Sequence, residues 1–338
     1  MHQNRLPERR RLVGLGGMVL AALLLITALF LFLNMGSRAP QIFGPRPATT
    51  PTLPPVTCKT PAHQTGDTTG TIQSAGLNRT FLIHLAPSYG RQAQPLVINY
   101  HGYDMSVHEM EQESHMDTVA DQAGFVLVYP QAVDSPTSWN AGVGAYGPTG
   151  DADDVQFTRD LLSYLETNYC VDTHRVYLTG FSLGGGMVYR LACTLSTQIT
   201  AIATVSGAYY PLPDGCPATR PMPVLEIHGA ADPLAPYAGN TSTRMAAVQD
   251  YLNGWLERDQ CDKNGQVFLQ QGDVTATTWS HCAAGVVVQH YRVSDGRHHW
   301  FLSPSTAIDS SQVVWNFFKQ FVYPPYPLSP TLKSTRQA

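Results

Sequence analysis

Charged residues are scarce: Asp, Glu, Lys and Arg make up 14% of 338 residues, and their balance leaves a formal net charge of -4. After the arginine-rich first dozen residues there is no basic run. A protein that binds a polyanion needs a concentrated positive surface, so nucleic acid is excluded as a partner. The chain also lacks a phosphate-binding loop and a dinucleotide fingerprint. None of its cysteines forms a CxxC pair, which argues against a zinc ribbon or a thioredoxin-like site. The stretch "HEMEQESH" from His108 to His115 has Gln112 where H-E-x-x-H requires its second histidine. Asp151, Asp153 and Asp154 lack the spacing and the closing glutamate of an EF-hand and read as a helix cap. No metal and no cofactor is expected, and no internal repeat is present.

What the chain does have begins at its start. Arg5, Arg9, Arg10 and Arg11 precede Leu12 to Leu33, a stretch without a charged residue. At about 1.5 Å rise per residue such a helix crosses about 30 Å of hydrocarbon, and its basic flank stays in the cytoplasm. Residues 1–35 are therefore expected to be a cytoplasmic flank and a transmembrane signal-anchor. A cleaved signal usually has a shorter apolar region, and a cut after "SRA" would leave Pro40 first. The alternative is a secreted chain. Either way the remainder lies outside the cytoplasm.

Residues 36–57, "GSRAPQIFGPRPATTPTLPPVT", form a Pro/Thr-rich spacer that cannot bury a core. Six cysteines, an even count in an exported chain, suggest disulfides. Local loops favour Cys193–Cys216 and Cys261–Cys282, which leaves Cys58 to tie the start of the domain to Cys170. The catalytic domain is expected over 58–323, before a flexible tail at 324–338.

Within 58–323 short apolar runs alternate with helical stretches. "TFLIHLA", "PLVINYHG", "FVLVYPQ", "RVYLTGF", "AIATVSG", "PVLEIHG" and "VVVQHYRV" read as strands, several buried on both faces. Helices are expected near 108–123, 153–168, 184–195, 243–257 and 310–321. This alternation predicts an α/β fold, a mostly parallel sheet with helices on both faces. In such sheets sites form at the carboxyl ends of the strands.

Gly180-Phe181-Ser182-Leu183-Gly184 matches G-x-S-x-G. A nucleophilic serine needs a tight strand-to-helix turn, and the two glycines let neighbouring backbone approach it. A structural glycine turn would look the same over five residues. Here "VYLTGF" supplies the strand and "GGGMVYRLAC" the helix. The N–H of Leu183 can face a developing oxyanion, and the loop His101-Gly102-Tyr103 supplies a second donor at Tyr103. His101 itself is expected to stabilise that loop.

A serine needs a base, and the base an orienting acid. Asp232 follows the strand "VLEIHG" and is the first candidate acid, ahead of Glu226, Asp214 and Asp259. The base belongs to "SDGRHHWFL", where His298 and His299 compete. His281 and His290 fall before or within the last strand.

These blocks, in this order, resemble secreted esterases of the polyhydroxybutyrate-depolymerase and feruloyl-esterase type, within the α/β-hydrolases. The resemblance runs from about Pro95 to Trp300 and rests on "INYHGYDMS", "GFVLVYPQ", "SWNAG", "DDVQFTRDLLSYL", "RVYLTGFSLGGGMVYRLAC", "PVLEIHGAADPLAPYAG" and "GRHHW". It implies Ser182 as nucleophile, Asp232 as acid and His298 as base, since one residue separates His298 from Trp300. The chain departs from the family pattern at Arg297, at Phe301-Leu302 and around Trp139-Asn140, where neighbouring cysteines are missing.

The expected protein is an extracytoplasmic serine esterase working through an acyl-enzyme. Its substrates would be feruloyl or acetyl esters of polysaccharides, or hydroxyalkanoate oligomers, with Trp139 and Trp300 as candidate stacking surfaces. A non-catalytic cell-surface binding protein on a hydrolase fold and a serine peptidase are the alternatives.

Overall fold

The computed structural model describes residues 63–144 and 152–323. The anchor expected at Leu12 to Leu33, the spacer at 36–57 and the tail at 324–338 lie outside them. Among the described residues no helix is long and apolar enough to cross a membrane.

One ten-stranded sheet organises the described residues, in the order β1-β2-β4-β3-β5-β6-β7-β10-β9-β8. The strands are β1 (Gly66–Ser74), β2 (Leu77–Leu85), β3 (Gln94–Tyr100), β4 (Val126–Pro130), β5 (Val171–Phe181), β6 (Ala201–Val205), β7 (Val224–Gly229), β8 (Gln266–Gln271), β9 (Val274–Trp279) and β10 (Val288–Val293). From β4 through β10 neighbours run parallel, while the outer strands on both sides pair antiparallel.

The inner strands are apolar almost throughout because side chains alternate between two buried faces. Leu96, Ile98 and Tyr100 of β3 enter one core with Val126, Val128, Val176 and Leu178. Val97 enters the other, with Leu127, Tyr129 and Tyr177. Helices α3 (Asp154–Asn168), α4 (Leu183–Thr194) and α5 (Val248–Arg258) cover the first face; α1 (Val107–Ser114), α2 (Met116–Ala123) and α6 (Ser310–Phe318) cover the second.

The structure differs from the expectation of one helix over 108–123. Ser106 and Glu109 close a capping box at the start of α1, and His115 ends it in the left-handed region, φ 49°. In an unbroken helix residues six apart point roughly 120° apart. The break lets Met110 and Met116 enter one core. Three strands, β1, β8 and β9, escaped the sequence reading: the edge strands "GDTTGTIQS" and "QVFLQQ" are largely exposed, and β9 inside β8, "VTATTW", is rich in threonine and only half-buried.

Asp153 caps α3 by accepting from the Gln156 N–H at 2.9 Å. The next residue, Asp154, is buried and accepts from Arg79 at 2.8 Å and from the Asn140 N–H at 2.7 Å. Asp151 lies outside the described residues. Disulfides join Cys193 to Cys216 and Cys261 to Cys282. Cys170 is also disulfide-bonded, and Cys58, its expected partner, lies outside the described residues.

Candidate active site

Ser182 stands between the last residue of β5 and the first of α4, with φ 55° and ψ -121°. That conformation costs a non-glycine residue about 1–3 kcal/mol and persists only where the surroundings enforce it. Here the Ser182 N–H donates to the Val205 carbonyl at 3.1 Å, and its carbonyl accepts from Gly186 at 3.2 Å and Ala208 at 2.9 Å. The flanking glycines are sterically required. A Cβ on Gly180 would stand 2.5 Å from the Gly184 carbonyl oxygen, and one on Gly184 would stand 2.1 Å from that of Tyr100.

Asp232 follows β7 in the loop reached by Gly229, and it is buried. Its Oδ1 accepts from the N–H groups of Leu234 and Ala235, both at 2.8 Å. Its Oδ2 lies 2.7 Å from Nδ1 of His298, in the loop after β10. Burial works against the charged form, but hydrogen bonds from His228 and His298 outweigh it and hold the carboxyl well below the usual range.

Ser182 and His298 line one cavity of about 420 Å³, together with Gly102, Tyr103, Met105, Phe181, Leu183, Ala208, Tyr210, Leu234 and Met245. Among the described residues no Asp, Glu, Lys or Arg lines it. The ring of Phe181 packs against that of His298 with centroids 4.8 Å apart. Both expected oxyanion donors, Tyr103 and Leu183, belong to the lining. Gly102 brings the loop of Tyr103 against the elbow, since a Cβ there would be 3.3 Å from that of Ser182.

Trp139 and Trp300 do not fit the stacking role expected of them. Each is buried and absent from the lining. Trp139 donates its Nε1–H to the His101 carbonyl at 2.9 Å, and Trp300 donates its own to Ser311 Oγ at 2.8 Å. Both spend their polar edge inside the fold, as buried indoles do, and so support loops of the site from behind.

The competing residues lie elsewhere. His299 is exposed and outside the lining, and its carbonyl accepts from Ser206 Oγ at 3.0 Å. Glu226 is sealed within β7. Asp259 accepts from the Met222 N–H at 3.2 Å, and Asp214 is exposed. His281 pairs with Asp262 on the surface at 2.9 Å, and His290 packs against Glu226. His101 is buried near its loop: Nδ1 lies 2.7 Å from the Gly102 carbonyl while Nε2 accepts from the Ala132 N–H at 3.0 Å.

Sequence reasoning missed Ser206, which ties down the loop of His298, and His228, which stands behind Asp232. It also missed the apolar lining from Met105, Tyr210 and Met245. Those three come from separate loops, and no local pattern connects them.

The sheet order, the elbow after β5 and the loops after β7 and β10 define an α/β-hydrolase fold. Among solved structures, an acetyl xylan esterase from Aspergillus awamori superposes with a TM-score of 0.54 at 15% identity, over 72% of this chain and 99% of that one. A thermostable esterase gives 0.51 at 12% identity, over 76% of this chain and 63% of that one.

Within that class, residues 79–249 match the family described as esterase PHB depolymerase, and the chain belongs to it. A bifunctional acetylxylan esterase/xylanase of Neocallimastix patriciarum is 30% identical over 71% of this chain, and feruloyl esterase B of Piromyces equi is 30% identical over 70%. The chain spans 33% and 44% of those two relatives. Feruloyl esterase D of Neurospora crassa is 30% identical over 78% of this chain and 89% of its own length.

Proposed function

We propose that the chain is an extracytoplasmic serine carboxylic-ester hydrolase that works through an acyl-enzyme. One observation carries the reading: a serine held in a strained left-handed turn shares an apolar cavity with a histidine hydrogen-bonded to a buried carboxylate. In this reading His298 takes the proton of Ser182 through Nε2, and Oγ attacks the ester carbonyl carbon. The N–H groups of Tyr103 and Leu183 hold the oxyanion, each contributing about 10²–10³ in rate. Collapse expels the alcohol, protonated by His298. Water deprotonated by the same ring then releases the acid and frees Ser182. Asp232 remains ionised throughout and orients the ring.

The uncharged lining suits a neutral acyl or aryl group. The feruloyl and acetylxylan esterases among the relatives favour feruloyl or acetyl esters of plant polysaccharide, with hydroxyalkanoate oligomers second. The disulfides support a place outside the cytoplasm. The apolar run Leu12 to Leu33 is proposed as the anchor that holds the enzyme there.

The test is hydrolysis of p-nitrophenyl acetate and methyl ferulate by the full chain in mild detergent, beside Ser182→Ala. The parent should turn over and the variant should lose at least about 10³-fold. A folded parent inert on both esters, or a Ser182→Ala variant as active as the parent, would sink the reading.

A further inference from the structure

His228, the penultimate residue of strand β7, is buried, and its two ring nitrogens meet two acceptors. Nδ1 lies 2.7 Å from Glu226 Oε1, and Nε2 lies 2.8 Å from the Ala235 carbonyl oxygen. With Glu226 ionised, both partners can only accept, which puts a proton on each nitrogen and makes the ring an imidazolium. Its Nε2 also stands 3.5 Å from Asp232 Oδ2, the same oxygen that faces His298 Nδ1 at 2.7 Å. Asp232 therefore sits between two histidines, one open to the cavity and one sealed in the core.

The surroundings fit a fixed charge. Glu226 is fully buried and meets a second histidine, with His290 Nδ1 2.6 Å from Oε2. Tyr209 donates to Glu226 Oε1 at 3.2 Å, and Tyr237 OH bonds to His290 Nε2 at 2.7 Å. Tyr251 of α5 stacks on Tyr209, and the Arg292 guanidinium lies 5.7 Å from the ring of Tyr237. Burial alone would drive His228 to its neutral form, but the charge of Glu226, followed by the hydrogen bond to Asp232, reverses this and pushes it up to about 10. Ala235 links the parts: its carbonyl accepts from His228 while its N–H donates to Asp232.

We propose that His228 is a positioning residue for ester hydrolysis, a permanent imidazolium that keeps Asp232 ionised and aimed at His298, with Glu226 as its counterion. The proposal rests on the reading of Ser182, Asp232 and His298 given above. The cation weakens the pull of Asp232 on the His298 proton. Its removal should strengthen that pull and move the acid limb of kcat/KM to higher pH, which loss of packing alone would not do.

The experiment uses the full chain with histidine labelled in both ring nitrogens. Long-range proton–nitrogen spectra should show at pH 8 a doubly protonated histidine whose signals are absent from His228→Gln. A neutral His228 at that pH would overturn the proposal without any variant being active. In kinetics on p-nitrophenyl acetate, His228→Gln and Glu226→Gln should each lower kcat about tenfold with KM within about twofold. His228→Gln should raise the acid limb by roughly half a unit to one unit, whereas Glu226→Gln, which leaves the cation without its counterion, should lower it. If the parent is active and Ser182→Ala is not, yet neither variant moves the acid limb, this inference fails alone. A folded but inert parent overturns the triad reading and the role of His228 together.

Discussion

Two histidine-glycine dipeptides close parallel strands of the same sheet, His101-Gly102 after β3 and His228-Gly229 at the end of β7. Both rings are buried, yet they end in opposite states. His101 has an acceptor at Nδ1, the Gly102 carbonyl, and donors at Nε2, the Ala132 N–H and the Gln131 side-chain amide, so Nε2 must stay bare and the ring is neutral. Burial lowers it to about 4. His228 has an acceptor on each side, one of them a carboxylate, and is charged. Burial alone does not set the charge of a histidine. The donor or acceptor character of its two partners does.

The strongest way to break this comparison is to change what His228 faces. Asp232→Asn should keep the fold and lower kcat by about 10³–10⁴, because the amide favours the wrong tautomer of His298. Kinetics beside a circular-dichroism spectrum will check it. Glu226→Gln attacks the other side. Leaving His228 without its counterion should destabilise the protein by about 3–5 kcal/mol, read by urea unfolding, with the smaller loss of kcat given above.

The pH dependence of stability sharpens the same contrast, and its sign differs at the two sites. His101 is lowered on folding, so between about 6.5 and about 4 the unfolded chain binds the extra proton and stability falls as pH falls. His228 is raised, so its contribution is complete below about 6.5 and disappears as pH rises through about 10. Melting temperatures across this range should show both slopes. His101→Gln should flatten the acid slope and His228→Gln the alkaline one. The smallest expected effect is at His299, exposed beside the proposed base His298: His299→Ala should change kcat/KM less than about twofold, since Ser206 binds only its backbone carbonyl.

Much of the site was legible because its signals are local. The turn at Ser182 needs two glycines within five residues, and the strand and helix that flank it carry their own periodicity. Asp232 and His298 were reachable because each follows an apolar run that reads as a strand. The two tryptophans misled. Their aromatic faces suggest stacking, but the indole N–H groups are satisfied inside the fold, and a sequence does not show which way a ring turns. The two edge strands, β1 and β8, were missed for a related reason, since edge pairing is made by backbone groups that leave no mark on side-chain pattern.

The sequence by itself determined the alternation of strands and helices, the elbow at Ser182 and the candidate residues at the strand ends. These follow from backbone sterics and from hydrophobic periodicity, which act over a few residues. Only the tertiary structure decided which histidine meets Asp232, why Trp139 and Trp300 stay out of the cavity, and that His101 and His228 differ in charge. Each of those depends on atoms brought together from distant parts of the chain. The balance of desolvation and hydrogen bonding at such a place is set by all its neighbours at once.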